Sequence, residues 1–274
     1  MTEHNEDQLD NQGVSRRSML KTLGVGGGIA TLSFAGLFGA DVVDAQTAGD
    51  DPQTILNLAS TAEALAVTAF HSIITLSSFY GNLSPLYQNY LKSALTQEQA
   101  HYDFLVASGA KPLANKFFFP DGILESLPLY VYVTDVLEGV FIGAYLASTR
   151  RFAELNRPDL AWTAAAVMGI EAEHKALNRA MGIAHAGNTG SPTREPFEPA
   201  TLNQVSQAVP TLGPILTGGK APPAAGKLIE GVNFGLGPVT MPGAEAVRAV
   251  GNTLVQTPPP ARAFSLGQKN KKRK

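Results

Sequence analysis

Glu98-Gln99-Ala100-His101 and Glu171-Ala172-Glu173-His174 are the stretches whose reading decides the fold. Each sets a carboxylate and an imidazole at i and i+3, and residues so spaced share one face of an α-helix. One such pair is ordinary surface polarity. Two pairs in a chain with only 5 histidines call for a common explanation, and the sequence around them supplies it. Glu63 stands among Ala59, Ala62, Ala66 and Val67, and Glu138 among Leu137, Phe141 and Ile142. A lone carboxylate buried in such surroundings is costly unless something offsets its charge.

Helical periodicity runs outward from these residues. From Pro52 to about Tyr80, Ile55, Ala59, Ala62, Ala66, Phe70 and Ile73 recur at three- and four-residue steps, with proline placed for a first helical turn. Gly81-Asn82-Leu83-Ser84-Pro85 breaks the pattern, which resumes through Leu91, Ala94, Leu95, His101 and Leu105 up to Gly109. A third run extends from about Pro128 to Leu155, and Asn156-Arg157-Pro158 separates it from a fourth, from Asp159 to about Ala184. Four helices of about 25 residues result, each ~38 Å long.

Short breaks within each pair force antiparallel hairpins, whereas residues 110–127 lie between the pairs. That segment spans up to roughly 60 Å extended, enough to start the third helix at the opposite end of the bundle. Its Phe117-Phe118-Phe119-Pro120 stretch is expected to pack along the bundle exterior or against a partner. Counting from Asn82, Glu63 lies 19 residues before and His101 19 after, so the two meet at one level. Counting from Arg157, Glu138 lies 19 before and His174 17 after. Glu138 follows Glu63 by 75 residues, and Glu171 and His174 follow Glu98 and His101 by 73, as in a duplicated hairpin.

This pattern resembles the ferritin-like superfamily, whose di-iron and di-manganese members carry a glutamate on each of two helices and Glu-x-x-His on each of the other two. The resemblance covers about residues 52–184. It implies an all-α fold: a ferritin-like four-helix bundle with a long crossover between helices 2 and 3. It further implies two divalent metal ions, iron or manganese, held by Glu63, Glu98, His101, Glu138, Glu171 and His174, with Glu98 and Glu171 as bridges. Glu63 with His101 and Glu138 with His174 would complete the two ends. Within the superfamily, the chain looks most like the desiccation-related, ferritin-like domain branch.

Composition limits the alternatives. The 274 residues are 44% hydrophobic, enough for one sizeable core, and a net charge of -2 gives no electrostatic argument for a nucleic-acid partner. With 0 cysteines, disulfides, thiolate-ligated zinc and iron–sulfur clusters are excluded, leaving imidazole and carboxylate as ligands. Residues 1–45 resemble a twin-arginine signal peptide: Ser15-Arg16-Arg17-Ser18-Met19-Leu20-Lys21 precedes an uncharged, Gly-rich run from Thr22 to Ala40. The expected location is periplasmic or extracellular, with no stable membrane span once the signal is removed. Residues 46–184 are assigned to the bundle, and 185–274 to an irregular Gly/Pro-rich extension ending in a basic tail, Lys269 to Lys274. Within the extension, short helices are expected near Ala200–Ala208 and Pro242–Leu254.

His71 reads as an ordinary core or surface histidine, His185 as a helix C-terminal partner, and Glu173 as a surface residue about 200° around the helix from Glu171. Tyr102 and Tyr145 fall near the ligand face, placed to hydrogen-bond a carboxylate or lose an electron, with core packing as the simplest account. Arg150, Arg151 and Glu154 read as solvated helix-end charges. Two functions fit. One is redox chemistry on oxygen or peroxide, of ferroxidase or catalase type, in oxidative or desiccation stress. The other is a non-catalytic, metal-sequestering or structural stress protein of the cell envelope. A homo-oligomer is compatible with either, whereas a storage cage is disfavoured by the export signal and the bulky extension.

Overall fold

A computed structural model describes residues 50–254, so the expected signal peptide and the basic tail lie outside the described residues. Four long helices carry the molecule: α1 (Pro52–Leu76), α2 (Pro85–Ala107), α3 (Leu127–Glu154) and α4 (Pro158–His185). All four begin with proline in the first turn, where the missing N–H costs nothing. The Asp51 side chain caps α1 by accepting from the Thr54 N–H at 2.9 Å, and Ser126 caps α3 through Leu129 at 3.3 Å.

The two hairpins close differently. α1 stops at Leu76 rather than Tyr80, because Ser77 turns to an extended conformation and its hydroxyl donates to the Ile73 carbonyl at 2.7 Å. α3 ends on Asn156, a residue with φ of 55°. The N–H groups of Asn156 and Arg157 return to the carbonyls of Ala153 and Phe152 at 3.0 and 2.8 Å, and Pro158 then starts α4 at once.

The crossover holds strand β1 (Lys116–Phe119), and here the structure corrects the sequence reading. Phe117 and Phe119 are buried, not laid on the exterior, because the C-terminal extension covers them. That extension supplies a 3-10 turn at Val205–Ala208, helix α5 (Val209–Thr217), the two-residue strands β2 (Gly219–Lys220) and β3 (Asn233–Phe234), strand β4 (Leu236–Thr240) and helix α6 (Ala244–Val250). β4 pairs antiparallel with β1 in the register Lys116↔Thr240, Phe117↔Val239 and Phe119↔Leu236. β2 pairs with β3. Leu212, Ile215, Ile229, Phe234 and Val247 join one apolar core with Phe70, Leu91, Leu95 and Tyr130 of the bundle.

Polar ties hold the same wrap. Lys175 donates to Glu198 at 2.9 Å, and Arg179 joins Asp135 of α3 to Glu195 at 2.5 and 2.8 Å. Arg150 and Arg151 are not merely solvated ends: they donate to the carbonyls of Asn203 and Asp50 at 2.6 and 2.9 Å. α1 and α3 are long and apolar enough to cross a membrane by length and composition, but here they form two walls of the bundle and carry its buried Glu63 and Glu138.

Candidate metal centre

One buried residue from each of α1 and α3, and one Glu-x-x-His pair from each of α2 and α4, converge between the helices. Glu63, Glu98, Glu138, Glu171 and His174 are at most 3% exposed; the His101 side chain, at 14%, is the most open of the six. His101 Nδ1 lies 3.4 Å from Glu63, 3.5 Å from Glu98 and 3.7 Å from Glu171. His174 Nδ1 lies 2.8 Å from Glu98 and 3.7 Å from Glu171. Two ligand groups result, Glu63–Glu98–His101–Glu171 and Glu138–Glu171–His174, each with its candidate ligand atoms within 4.8 Å of one another. Glu171 belongs to both groups, and Glu98 reaches both imidazoles. The level-matching of the two hairpins is therefore what the fold delivers.

The electrostatics of the cluster are unbalanced. Burial pushes Glu63 well above the usual carboxylate range, and the neighbouring Glu98 adds to it. Burial raises Glu138 likewise, with Glu171 and Glu98 reinforcing the effect. Burial also acts upward on Glu98, but its hydrogen bond with Glu63 and the charge of His174 outweigh it and hold that carboxyl well below the usual range. Burial works against charging both imidazoles, yet the surrounding carboxylates win: His101 is raised by Glu63 and Glu98, and His174 by Glu98 and Glu171 to about 9. Without metal, protons must do the work of cations here.

The donor set fits a dinuclear metal site. Both carboxylate oxygens of Glu98, one each of Glu138 and Glu171, and Nδ1 of both histidines are buried and, among the described residues, have no hydrogen-bond partner outside the cluster itself. Buried polar atoms normally find partners, so a cluster of orphans aimed at one another marks a place for an ion. Four carboxylates and two neutral imidazoles balance two divalent cations in charge, and oxygen with nitrogen donors suits borderline and hard metals.

Residues outside the expected six set this geometry. His174 Nε2 lies 2.9 Å from the amide oxygen of Gln97. An amide oxygen only accepts, so Nε2 carries a proton, and Nδ1 faces Glu98 and Glu171, as a proton donor to them without metal and free to offer its lone pair to an ion. Tyr90 donates to the His174 carbonyl at 3.0 Å, and Phe70 packs edge-on against the imidazole with centroids 5.8 Å apart. Tyr145 packs in the core and also donates a hydrogen bond to Glu63, the carboxylate contact open to it from sequence; Tyr102 is half-buried and, among the described residues, makes no such contact. Glu173 is exposed, as its angle from Glu171 requires. His71 is half-buried, while His185 accepts from the Ser84 N–H at 3.4 Å and stacks edge-on with Tyr87. Nothing in the spacing of Gln97, directly before Glu98, marks it as the partner of a histidine on another helix.

With the bundle and its carboxylate–histidine cluster in view, the class is that of a helical bundle whose core carries residues that could hold a metal ion. Residues 51–182 match the family described as the ferritin-like domain, and the four long helices form an all-α ferritin-like bundle. No curated protein and no solved structure matches the chain.

Proposed function

We propose that this is an exported, dinuclear metal-binding protein that holds two divalent ions, iron or manganese, and acts on oxygen or peroxide in oxidative or desiccation stress. Glu63, Glu98, His101, Glu138, Glu171 and His174 would hold the ions, Glu98 and Glu171 being the two carboxylates within reach of both histidines. The carrying observation is that Glu98 and Glu171 each lie within 3.7 Å of both imidazoles and, among the described residues, form no ion pair with any lysine or arginine.

When bound, a pair of such ions supplies two-electron exchange with dioxygen or peroxide. The chain supplies the rest. Gln97 fixes the tautomer of His174, Tyr145 orients Glu63 through its hydroxyl, and Phe70 and Tyr90 keep water from the His174 side. His101, the more exposed imidazole, marks the side from which a small oxidant enters. Export is supported by Arg16-Arg17 ahead of an uncharged run and by the lack of cysteine, which leaves no thiol to oxidise outside the cytoplasm.

The test is purification without chelators, followed by metal analysis and assays of peroxide and ferrous-ion turnover, with cell fractionation for the location. Two irons or manganeses per chain and turnover lost in His101→Ala are the expected result. A loaded but inert protein would favour the sequestering role instead, and a chain isolated without metal that also takes none up would sink the ligand assignment.

A further inference from the structure

Beside the carboxylate cluster lies a cavity of about 350 Å³, within the size range of small-molecule sites. Its wall is largely hydrocarbon, from Ile55, Leu56, Phe104, Leu105, Phe152 and Val167. None of the described residues lining it is lysine, arginine, aspartate or glutamate. One part of the wall adjoins the cluster, because His101, Gln97 and Tyr145 line it too. Tyr145 spends its hydroxyl on Glu63, and Ser148, a further lining residue, spends its own on the Ala144 carbonyl at 2.8 Å. The Gln97 oxygen is engaged by His174, which leaves its NH₂ and the His101 Nε2 without a hydrogen-bond partner among the described residues. The cavity thus presents a long apolar body and one small polar corner.

Water gains little in such a space, since apolar cavities in proteins stay dry and take apolar guests. An anion gains less still: among the described residues no lysine or arginine lines the wall, and the carboxylates of Glu63, Glu98 and Glu171 stand 3.4, 3.5 and 3.7 Å behind it, measured from His101 Nδ1. The geometry points to a binding site for a neutral, largely hydrocarbon molecule with a single small polar end, such as a medium-chain alcohol, seated with that end against Gln97 and His101. This site does not rest on the metal reading, because shape, apolarity and the two free polar groups belong to the chain. Leu254 also lines the cavity, so residues that follow it are the competing occupant.

Trp162 provides the readout. It lines the cavity, is 65% exposed, and is the chain's 1 tryptophan, so its emission reports on this place alone. The full-length protein is titrated with 1-decanol and with decanoate, following Trp162 emission and displacement of the neutral fluorophore N-phenyl-1-naphthylamine, in metal-loaded and chelator-treated forms. Saturable binding of 1-decanol in both forms is expected, with decanoate at least about tenfold weaker. Ala164→Phe, which fills the interior, and Ala166→Phe, at an exposed position on the rim, should each weaken 1-decanol about tenfold or more while helical content is kept. Four results would overturn the site: no saturable binding, as when the chain's own residues fill the cavity; decanoate binding as tightly as the alcohol; binding confined to the metal-loaded form; or unchanged affinity in Ala166→Phe.

Discussion

Gln97 is the residue whose role is clearest in the structure and least visible beforehand. The six expected ligands are legible because helical spacing puts Glu98 with His101 and Glu171 with His174 on shared faces, and the hairpin turns fix their level. A partner to the far side of an imidazole depends instead on how α2 and α4 rotate against each other. No periodicity encodes that rotation. Tyr145 is a middle case: its place near the ligand face and its reach to a carboxylate can be read from α3, but not that Glu63 is the one that accepts. Gln97→Leu removes the acceptor for His174 Nε2 at nearly constant volume, and outer partners of metal-bound histidines are worth about 10- to 100-fold in affinity. Chelator competition should therefore show one of two metals held that much more weakly, with helical content unchanged. Equal affinity of both metals to the parent protein would mean that Gln97 does not set the tautomer.

At the scale of elements, the four long helices were readable because each carries its own start and stop signals: proline in the first turn, Asn156 or Gly109 past the end. After Gly109 the Ala110 N–H returns to the Leu105 carbonyl at 3.0 Å, so the glycine's φ of 100° closes α2 in the usual left-handed way. The extension was not readable to the same degree. α5 contains Pro210 and Pro214 and reads as broken chain, yet one proline sits in its first turn and the whole helix is only 9 residues long. Pairing of β1 with β4 joins positions more than a hundred residues apart, and no local pattern specifies such a partner. Gly237 shows what the pairing demands: its φ is 140°, and a Cβ there would meet the Phe117 carbonyl oxygen at 2.7 Å. Gly237→Ala should cost about 2–3 kcal/mol in chemical denaturation. Metal content should persist, since β4 pairs with β1 and supplies none of the six ligands; an alanine variant as stable as the parent would contradict the tight β1–β4 approach.

For the molecule as a whole, the buried charge cluster couples stability to pH in a direction that metal should abolish. In the metal-free protein His174 is raised to about 9 from an ordinary 6.5, and His101 moves the same way. A raised pKa stabilises the fold fully below the unfolded value and loses that contribution as pH climbs through the folded one. Glu63 and Glu138, also raised, add a loss of the same sign beginning above the ordinary carboxylate range. Glu98 is depressed, so its contribution is already complete above about 4.5 and adds no slope at higher pH. Stability of chelator-treated protein should therefore fall between pH 6.5 and 9, by on the order of 3 kcal/mol from His174 alone. In the loaded protein the imidazoles bind metal rather than protons, so the same interval should be nearly flat, and the protein should be more stable throughout. Urea denaturation of both forms at the two pH values measures this. Parallel slopes with and without metal would show that protons and metal do not compete for the same six side chains, and the carboxylate–histidine cluster would then be a structural ion-pair network.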